Sequence, residues 1–207
     1  MTLTKRTTAL AAFFSLALTV PGHSQTLDTD GDGVPDSAEV LLGTDPLAAD
    51  TDGDAQNDLA DTDPVFAPNP IDATGPAAPF AIKETLVEDN FDYAAKKDAT
   101  DHLELLVTNP GTTPLTGFSI YYSITDADSG KVEGTLRMLD GFSVPAGGEA
   151  RVHLDDGTMA GHFRANPNGI YTSSQAAKTF DVTLKAGGFA PAMVQIAKDK
   201  GGAEAAD

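Results

Sequence analysis

The chain of 207 residues contains no cysteine. This absence excludes disulfides, so the fold must rest on an apolar core, on bound metal, or on both. It also removes the thiolate ligands of a structural zinc site. Positive charge is scarce too, because 13 Lys and Arg stand against 31 Asp and Glu, for a net charge of −18. Phosphate contacts need clustered Lys and Arg, so we expect no nucleic-acid partner.

A long apolar run is lacking everywhere except near the N-terminus. Two cationic residues precede an apolar stretch at residues 9–20, and the small residues Gly22 and Ser24 follow it. This order is typical of a signal peptide and predicts cleavage after Ser24. The stretch is too short to span a bilayer, so no transmembrane segment is expected in the mature chain. We therefore expect an exported protein that is periplasmic, bound at the cell surface, or secreted.

Composition divides the chain into five segments. The signal peptide, 1–24, precedes an Asp-rich module at 25–64 and a Pro- and Ala-rich segment at 65–80. Several prolines favour extended backbone, so 65–80 is predicted to be a stiff linker. Residues 81–198 form the predicted β-domain, and 199–207 form a polar tail.

The β-domain is predicted from apolar residues that recur at every second position, as half-buried strands require. These positions are Leu103, Leu105, Val107, Phe118, Ile120, Tyr122, Ile124, Val132, Leu136, Met138, Val152, Leu154, Phe180, Val182, Leu184, Val194 and Ile196. Clusters of Gly, Pro and Asn separate them. Short strands at this spacing, without a helical stretch, predict a mainly β fold: an antiparallel immunoglobulin-like β-sandwich preceded by a small loop-rich module.

The Asp-rich module follows the pattern of a calcium loop. Between Asp28 and Asp63 it has twelve acidic residues and no Lys or Arg, a density that needs counter-cations. A twelve-residue calcium loop places oxygen ligands at positions 1, 3, 5, 7, 9 and 12 and a glycine at position 6. Here Gly33 takes position 6. The predicted ligands of the first loop are Asp28, Asp30, Asp32, the carbonyl of Val34, Asp36 and Glu39.

A second copy of the loop starts twenty-two residues later and is altered at two positions. Its predicted ligands are Asp50, Asp52, Asp54, Gln56, Asp58 and Asp61. Ala55 replaces the glycine at position 6, and Asp61 replaces the longer Glu39 at position 12. We expect this site to be weaker, or to borrow a ligand from Asp45 or Asp63, which each lie in a Thr-Asp-Pro triplet.

The run DTDGDGVPDSAEVLLGTDPLAADTDGD resembles the bacterial thrombospondin type 3 repeat, over about 36 residues of the chain. The resemblance implies that the module wraps around structural Ca²⁺ ions with little apolar core. An EF-hand or a dockerin would need a flanking helix of about ten residues. Only residues 37–42 are available for such a helix before Gly43 and Pro46, so these alternatives fit poorly. Diffuse ion binding by an acidic tail is a further alternative, but it would not require each residue to match its position in the calcium loop.

These features predict a non-catalytic, exported calcium-binding protein. Calcium is expected to rigidify the acidic module, and the β-sandwich is expected to serve adhesion or recognition of an extracellular protein or polysaccharide. One alternative is a carbohydrate-binding or enzyme-accessory module that uses Tyr121, Tyr122 and Tyr171 as an aromatic platform. Another is a secreted hydrolase that uses His162, which is predicted to lie in a loop beside Asp155; no nucleophile motif accompanies it.

Overall fold

The computed structural model describes residues 26–87 and 103–200. The predicted signal peptide lies outside them. The elements in chain order are α1 (Asp36–Leu42), β1 (Ala81–Leu86), β2 (Leu103–Asn109), β3 (Ser119–Asp126), β4 (Val132–Met138), β5 (Gly148–Asp155), β6 (His162–Arg164), α2 (Ile170–Ser173), β7 (Lys178–Lys185) and β8 (Ala192–Lys198). Neither helix of the described segments is long and apolar enough to cross a bilayer.

Within the described residues the strands form two sheets of four. One has the order β1-β2-β5-β6 and the other the order β4-β3-β7-β8. Neighbouring strands are antiparallel except for β5 and β6, which pair in parallel. The predicted fold class is confirmed, because a mainly β sandwich follows a small loop-rich module.

The core lies between the two sheets and explains why apolar residues recur at every second position of the strands. The predicted inward positions of β2, β3, β5 and β7 are buried, and Val194 and Ile196 of β8 pack against them partly buried. Phe118 meets Phe80 and Phe142 edge to face, with ring centroids 5.4 and 5.2 Å apart. Removing these side chains from water is the main favourable term in folding this part of the chain.

Strand β4 departs from the predicted pattern. Val132 and Met138 are 39% and 59% exposed, whereas Glu133 and Thr135 between them are buried. Glu133 tolerates burial because its carboxylate accepts hydrogen bonds from Lys131 Nζ (2.9 Å) and the Ile170 amide (2.8 Å). The expectation that Val132 and Met138 line the core was therefore wrong. No apolar period predicts β6 or α2, and His162 begins β6 instead of lying in a loop.

The segment 65–80 lies against the second sheet. Phe66 bridges to Gly134 of β4, and the Tyr121 hydroxyl of β3 donates to the Ala67 carbonyl at 2.9 Å. Further along, Lys185 Nζ of β7 donates to the Asp72 carbonyl at 2.8 Å. The segment thus contacts β4, β3 and β7 in turn, which brings the acidic module close to β4. The boundaries drawn from composition stay a prediction.

Candidate metal centre

The first acidic loop is shaped by its own aspartates. Asp28 accepts hydrogen bonds from the amides of Gly31 (2.9 Å) and Gly33 (3.2 Å). Asp30 accepts from the Asp32 amide at 3.1 Å, and Asp32 accepts from the Val34 amide at 2.5 Å. Such side-chain to backbone bonds replace the contacts of regular structure. As a result Asp28, Asp30 and Asp32 each offer an oxygen within 4.8 Å of the other two.

The second loop repeats this arrangement bond for bond. Asp50 accepts from the amides of Gly53 (2.8 Å) and Ala55 (2.9 Å), Asp52 from the Asp54 amide (3.0 Å), and Asp54 from the Gln56 amide (2.7 Å). Asp50, Asp52 and Asp54 also bring one oxygen each within 4.8 Å of one another.

The altered position of the second loop is strained. Ala55 has φ = 74°, in the left-handed region, and it is the single non-glycine residue with positive φ in the described segments. Its counterpart Gly33 has φ = 101°. The second loop therefore has the same backbone conformation as the first but lacks the glycine that adopts it most easily, which costs roughly 1–2 kcal/mol.

The aspartates at position 9 close the two loops. Asp36 accepts hydrogen bonds from the Thr29 amide (2.8 Å) and hydroxyl (2.7 Å). Asp58 does the same with Thr51, at 2.8 and 2.6 Å. The sequence reasoning missed both threonines, although their place in each Asp-Thr-Asp-Gly-Asp run was the available signal.

The residues at position 12 differ between the loops. Glu39 lies on α1, is fully buried, and contacts the Thr44 hydroxyl through Oε1 at 3.4 Å. Helix α1 ends at Leu42 and is capped by Gly43, whose φ of 84° lies in the left-handed region that glycine adopts readily. It has two turns, fewer than an EF-hand helix needs. Asp61 is partly exposed and accepts from the Asp63 amide at 2.9 Å.

Several carboxylate oxygens in these loops are buried without a partner. They are Asp30 Oδ2, Asp32 Oδ2, Glu39 Oε2 and Asp52 Oδ2, as judged against the part of the chain that the structure describes. Burying an unpaired charged oxygen is costly, and a bound cation removes that cost. The donors are all oxygens, which suits a hard cation such as Ca²⁺ better than zinc. The residues present therefore fit calcium.

The acidities of these groups reflect the same burial. Burial raises the pKa of Glu39 to about 7, and the charges of Asp30 and Asp32 add to the effect. Burial likewise raises the pKa of Asp52 to about 7, with Asp54 and Asp50 contributing. The pKa of Asp30 is also raised, chiefly by burial. A divalent cation would stabilise the ionised form of all three.

The structure does not bring Asp45 to either triad of aspartates. Its buried carboxylate accepts two hydrogen bonds from Arg164 of β6, from Nε and Nη2, both at 2.5 Å. Beside this pair Asn166 donates to the Gly43 carbonyl (2.6 Å) and Asn168 to the Thr44 carbonyl (2.7 Å). Asp45 therefore fixes the module to the sandwich. No sequence pattern linked these residues.

The second loop is built onto the edge of β4. The Leu136 amide donates to the Asp52 carbonyl at 2.8 Å, and Arg137 Nη2 donates to the Thr51 carbonyl at 2.7 Å. Asn57 in turn donates to the Asp32 carbonyl of the first loop at 3.1 Å. The two loops and the sandwich are thus joined by hydrogen bonds.

The "X-ray structure of Northeast Structural Genomics Consortium target SoR45" is similar at a TM-score of 0.37 and 10% identity, covering 63% of this chain and 94% of that chain. The Pseudomonas fluorescens alkylpurine DNA glycosylase AlkC bound to DNA with an abasic site analogue gives a TM-score of 0.23 at 17% identity, covering 47% and 25%. At these TM-scores neither likeness carries an argument.

No curated protein sequence matches the chain. The model of the bacterial TSP3 repeat matches residues 28–49, which include the first acidic loop, helix α1 and the Thr44-Asp45-Pro46 triplet. The match confirms the resemblance for this segment of the chain, and it supports calcium as the ion that the module binds.

Proposed function

We propose that this protein is a non-catalytic, exported calcium-binding protein whose acidic module holds one Ca²⁺ in each loop. The first site uses Asp28, Asp30, Asp32, the Val34 carbonyl, Asp36 and Glu39, and the second uses Asp50, Asp52, Asp54, the Gln56 carbonyl, Asp58 and Asp61. The observation that carries the proposal is the set of buried carboxylate oxygens without a partner in these loops. Ca²⁺ supplies the missing positive charge.

Calcium in the first loop would also hold the module on the sandwich. Glu39 lies one helical turn before Gly43, and Thr44 donates its amide to the Glu39 carbonyl at 3.1 Å. Thr44 is followed by Asp45, which Arg164 binds. An ion that fixes Glu39 therefore favours the position of Asp45 on the sandwich. We infer a structural ion rather than a switch, because module and sandwich share a hydrogen-bonded interface.

Recognition of an extracellular partner is the proposed role of the assembled protein. Val40, Leu41 and Leu42 are 62%, 87% and 54% exposed on α1, and apolar exposure of this kind favours a protein partner. The carbohydrate alternative has less support, because Tyr121, Tyr122 and Tyr171 are all buried. Export would be tested by mass spectrometry of the extracytoplasmic fraction, where a chain that begins at Gln25 is expected and an uncleaved cytoplasmic chain would contradict the proposal.

The calcium proposal is tested by thermal unfolding of the full chain in calcium and in EDTA. At a calcium concentration about 100 times the Kd of one site, binding at that site adds about 2.7 kcal/mol, which raises Tm by about 8 °C for a chain of this size. Magnesium at equal concentration should add little. Equal Tm values in calcium and EDTA would overturn the proposal.

Matched variants separate the two sites. Asp32→Asn should remove most of the calcium-dependent rise in Tm, because Asp32 is buried with an unpartnered oxygen. Asp54→Asn should remove less, since Asp54 is only partly buried and Gln56 Nε2 donates to its Oδ2 at 2.7 Å. Asp140→Asn is the control, because Asp140 is an exposed carboxylate outside both loops. Equal loss in all three variants would indicate diffuse ion binding instead.

A further inference from the structure

Strand β8 forms one edge of the second sheet, and β4 forms the other. The other edges in the described segments are each protected against pairing with a further strand. At β4 the Leu136 amide donates to the Asp52 carbonyl of the acidic module. Strand β1 has a register shift between Ile82 and Glu84, and β6 has only three residues. Covering segments, bulges and short strands are the usual means by which proteins prevent edge-to-edge association.

Strand β8 has none of these features over residues 192–197. It pairs with β7 residue for residue, without a register shift, and these six residues include no proline and no charged side chain. Among the residues that the structure describes, their backbone hydrogen-bonds only to β7. The segment 65–80 reaches no further than Ala190, whose amide donates to the Pro76 carbonyl at 2.8 Å. The outer side of β8 therefore presents backbone donors and acceptors to an incoming strand.

The hydrophobic core is also less completely covered at this edge. Phe180 and Val182 of β7 are 0% and 2% exposed, whereas their neighbours on β8, Ile196 and Val194, are only partly buried. On the outer face of the sheet Met193 is 70% exposed. A strand added beside β8 would cover apolar surface on both faces, which favours its addition.

We propose that β8 pairs with β8 of a second copy of this chain, antiparallel about a two-fold axis at Gln195. This axis overlaps all seven residues of the strand. It places Val194 opposite the partner's Ile196 and Met193 opposite the partner's Ala197, so that core-facing and outer side chains each meet their own kind. A second copy supplies a strand that is already extended, so pairing orders no new segment. Two-fold dimers are also the commonest assemblies of soluble proteins.

The distribution of charge favours this edge for self-association. The chain has a net charge of −18, so a dimer must keep its acidic modules apart. The module lies at β4, the edge opposite β8, and the joined sheet has the strand order β4-β3-β7-β8-β8-β7-β3-β4. The two β4 strands are then seven strand spacings apart, about 34 Å. This distance is several times the Debye length of about 8 Å at physiological ionic strength, so repulsion between the modules is screened. The dimer presents one calcium module at each end.

Sedimentation equilibrium of the full chain, in calcium and about 0.15 M salt, tests the dimer. The weight-average mass should rise from that of one chain at micromolar concentration toward twice that value at millimolar concentration. Over the same range, hydrogen exchange should slow at the outward amides of residues 192–197. A mass of one chain at millimolar concentration would overturn the proposal, and so would a dimer in which these amides exchange unchanged. Either failure leaves the calcium proposal standing, because the acidic loops lie at β4.

A charge placed at the two-fold axis gives an independent test. Gln195 is exposed, and its Nε2 donates to Asp181 Oδ1 at 2.7 Å. Gln195→Lys keeps a favourable cross-strand partner in Asp181, so the monomer should remain folded with an unchanged Tm. In the dimer the two introduced ammonium groups lie directly opposite each other, and dimer affinity should fall about 10-fold or more. Thr112→Lys is the matched control, because it adds the same charge at an exposed position between β2 and β3 and should leave the affinity unchanged. Equal affinity in Gln195→Lys and the unaltered protein would refute pairing through β8.

Discussion

Gly53 and Gly31 test whether the acidic module is truly fixed to the sandwich. They occupy the same position in the two loops and have nearly the same backbone angle, with φ of 82° and 78°. A Cβ added at Gly31 would meet nothing within 4 Å, whereas one added at Gly53 would lie 2.3 Å from the Leu136 carbonyl oxygen of β4. The two alanine variants therefore share the same backbone strain and differ in one contact with the sandwich.

The expected magnitudes follow from the bonds at that contact. Both variants pay roughly 1–2 kcal/mol for an alanine in the left-handed region. In Gly53→Ala the distance to the Leu136 oxygen must also open from 2.3 Å to at least 3.0 Å. This movement breaks the hydrogen bond from the Leu136 amide to Asp52 and weakens that from Arg137 to Thr51. At about 1 kcal/mol for the bond that breaks and up to about 2 for the bond that weakens, the additional loss is between about 1 and 3 kcal/mol.

Urea unfolding at fixed millimolar calcium would measure the loss, and amide exchange would locate it. The Leu136 amide should be protected in the unaltered protein and in Gly31→Ala, and it should exchange much faster in Gly53→Ala. The reasoning is refuted if the two variants lose equal stability, or if Leu136 keeps its protection in Gly53→Ala.

Three further predictions address the interface, the strained turn and the acidic groups. Arg164→Ala leaves the buried Asp45 carboxylate unpaired and should lower the free energy of unfolding by about 3 kcal/mol in urea titrations; a loss below about 1 kcal/mol would contradict the pairing. Ala55→Gly should raise the same quantity by about 1 kcal/mol because it relieves the positive φ, and a decrease would speak against that backbone angle. In the folded chain the pKa of Glu39 is raised from 4.5 to about 7 and that of Asp52 from 3.8 to about 7. Between the ordinary pKa of each group and pH 7, the folded chain in EDTA therefore holds protons that the unfolded chain has released. Stability in EDTA that comes from these two groups therefore falls as pH rises through that window, and the gain in Tm from calcium should grow from pH 4.5 to 8; a constant gain would contradict it.

Much of the sandwich could be predicted because the apolar residues that alternate along its strands are the ones that are buried between the sheets. Tyr122 and Phe180, for instance, alternate with outward residues in strands that face the other sheet. The same alternation gave a wrong prediction for strand β4. Its outer edge is covered by distant segments of the chain, and Glu133 is neutralised by Lys131, a partner that an apolar period does not reveal. Strand β6 has three residues, too few to show any period.

The acidic loops were predictable for a different reason. All their shaping hydrogen bonds, such as those of Asp28 and Asp50 to nearby amides, run over seven residues or fewer, so spacing alone encodes them. The attachment of the module was not predictable, because Arg164 and Asp45 are separated by 119 residues. A polar contact over that distance leaves no local signal. The residue spacing thus predicted a set of ligands. It could not predict that the module carrying them is held against the sandwich.

Calorimetric titration of the full chain with calcium tests the central claim most directly. The account predicts two bound ions per chain, one at a tighter site that Glu39→Gln weakens and one at a weaker site that Asp52→Asn weakens, with proton release at pH 6 because raised-pKa carboxyls must ionise. A heat trace that stays flat at millimolar calcium, or binding that neither variant alters, would contradict it.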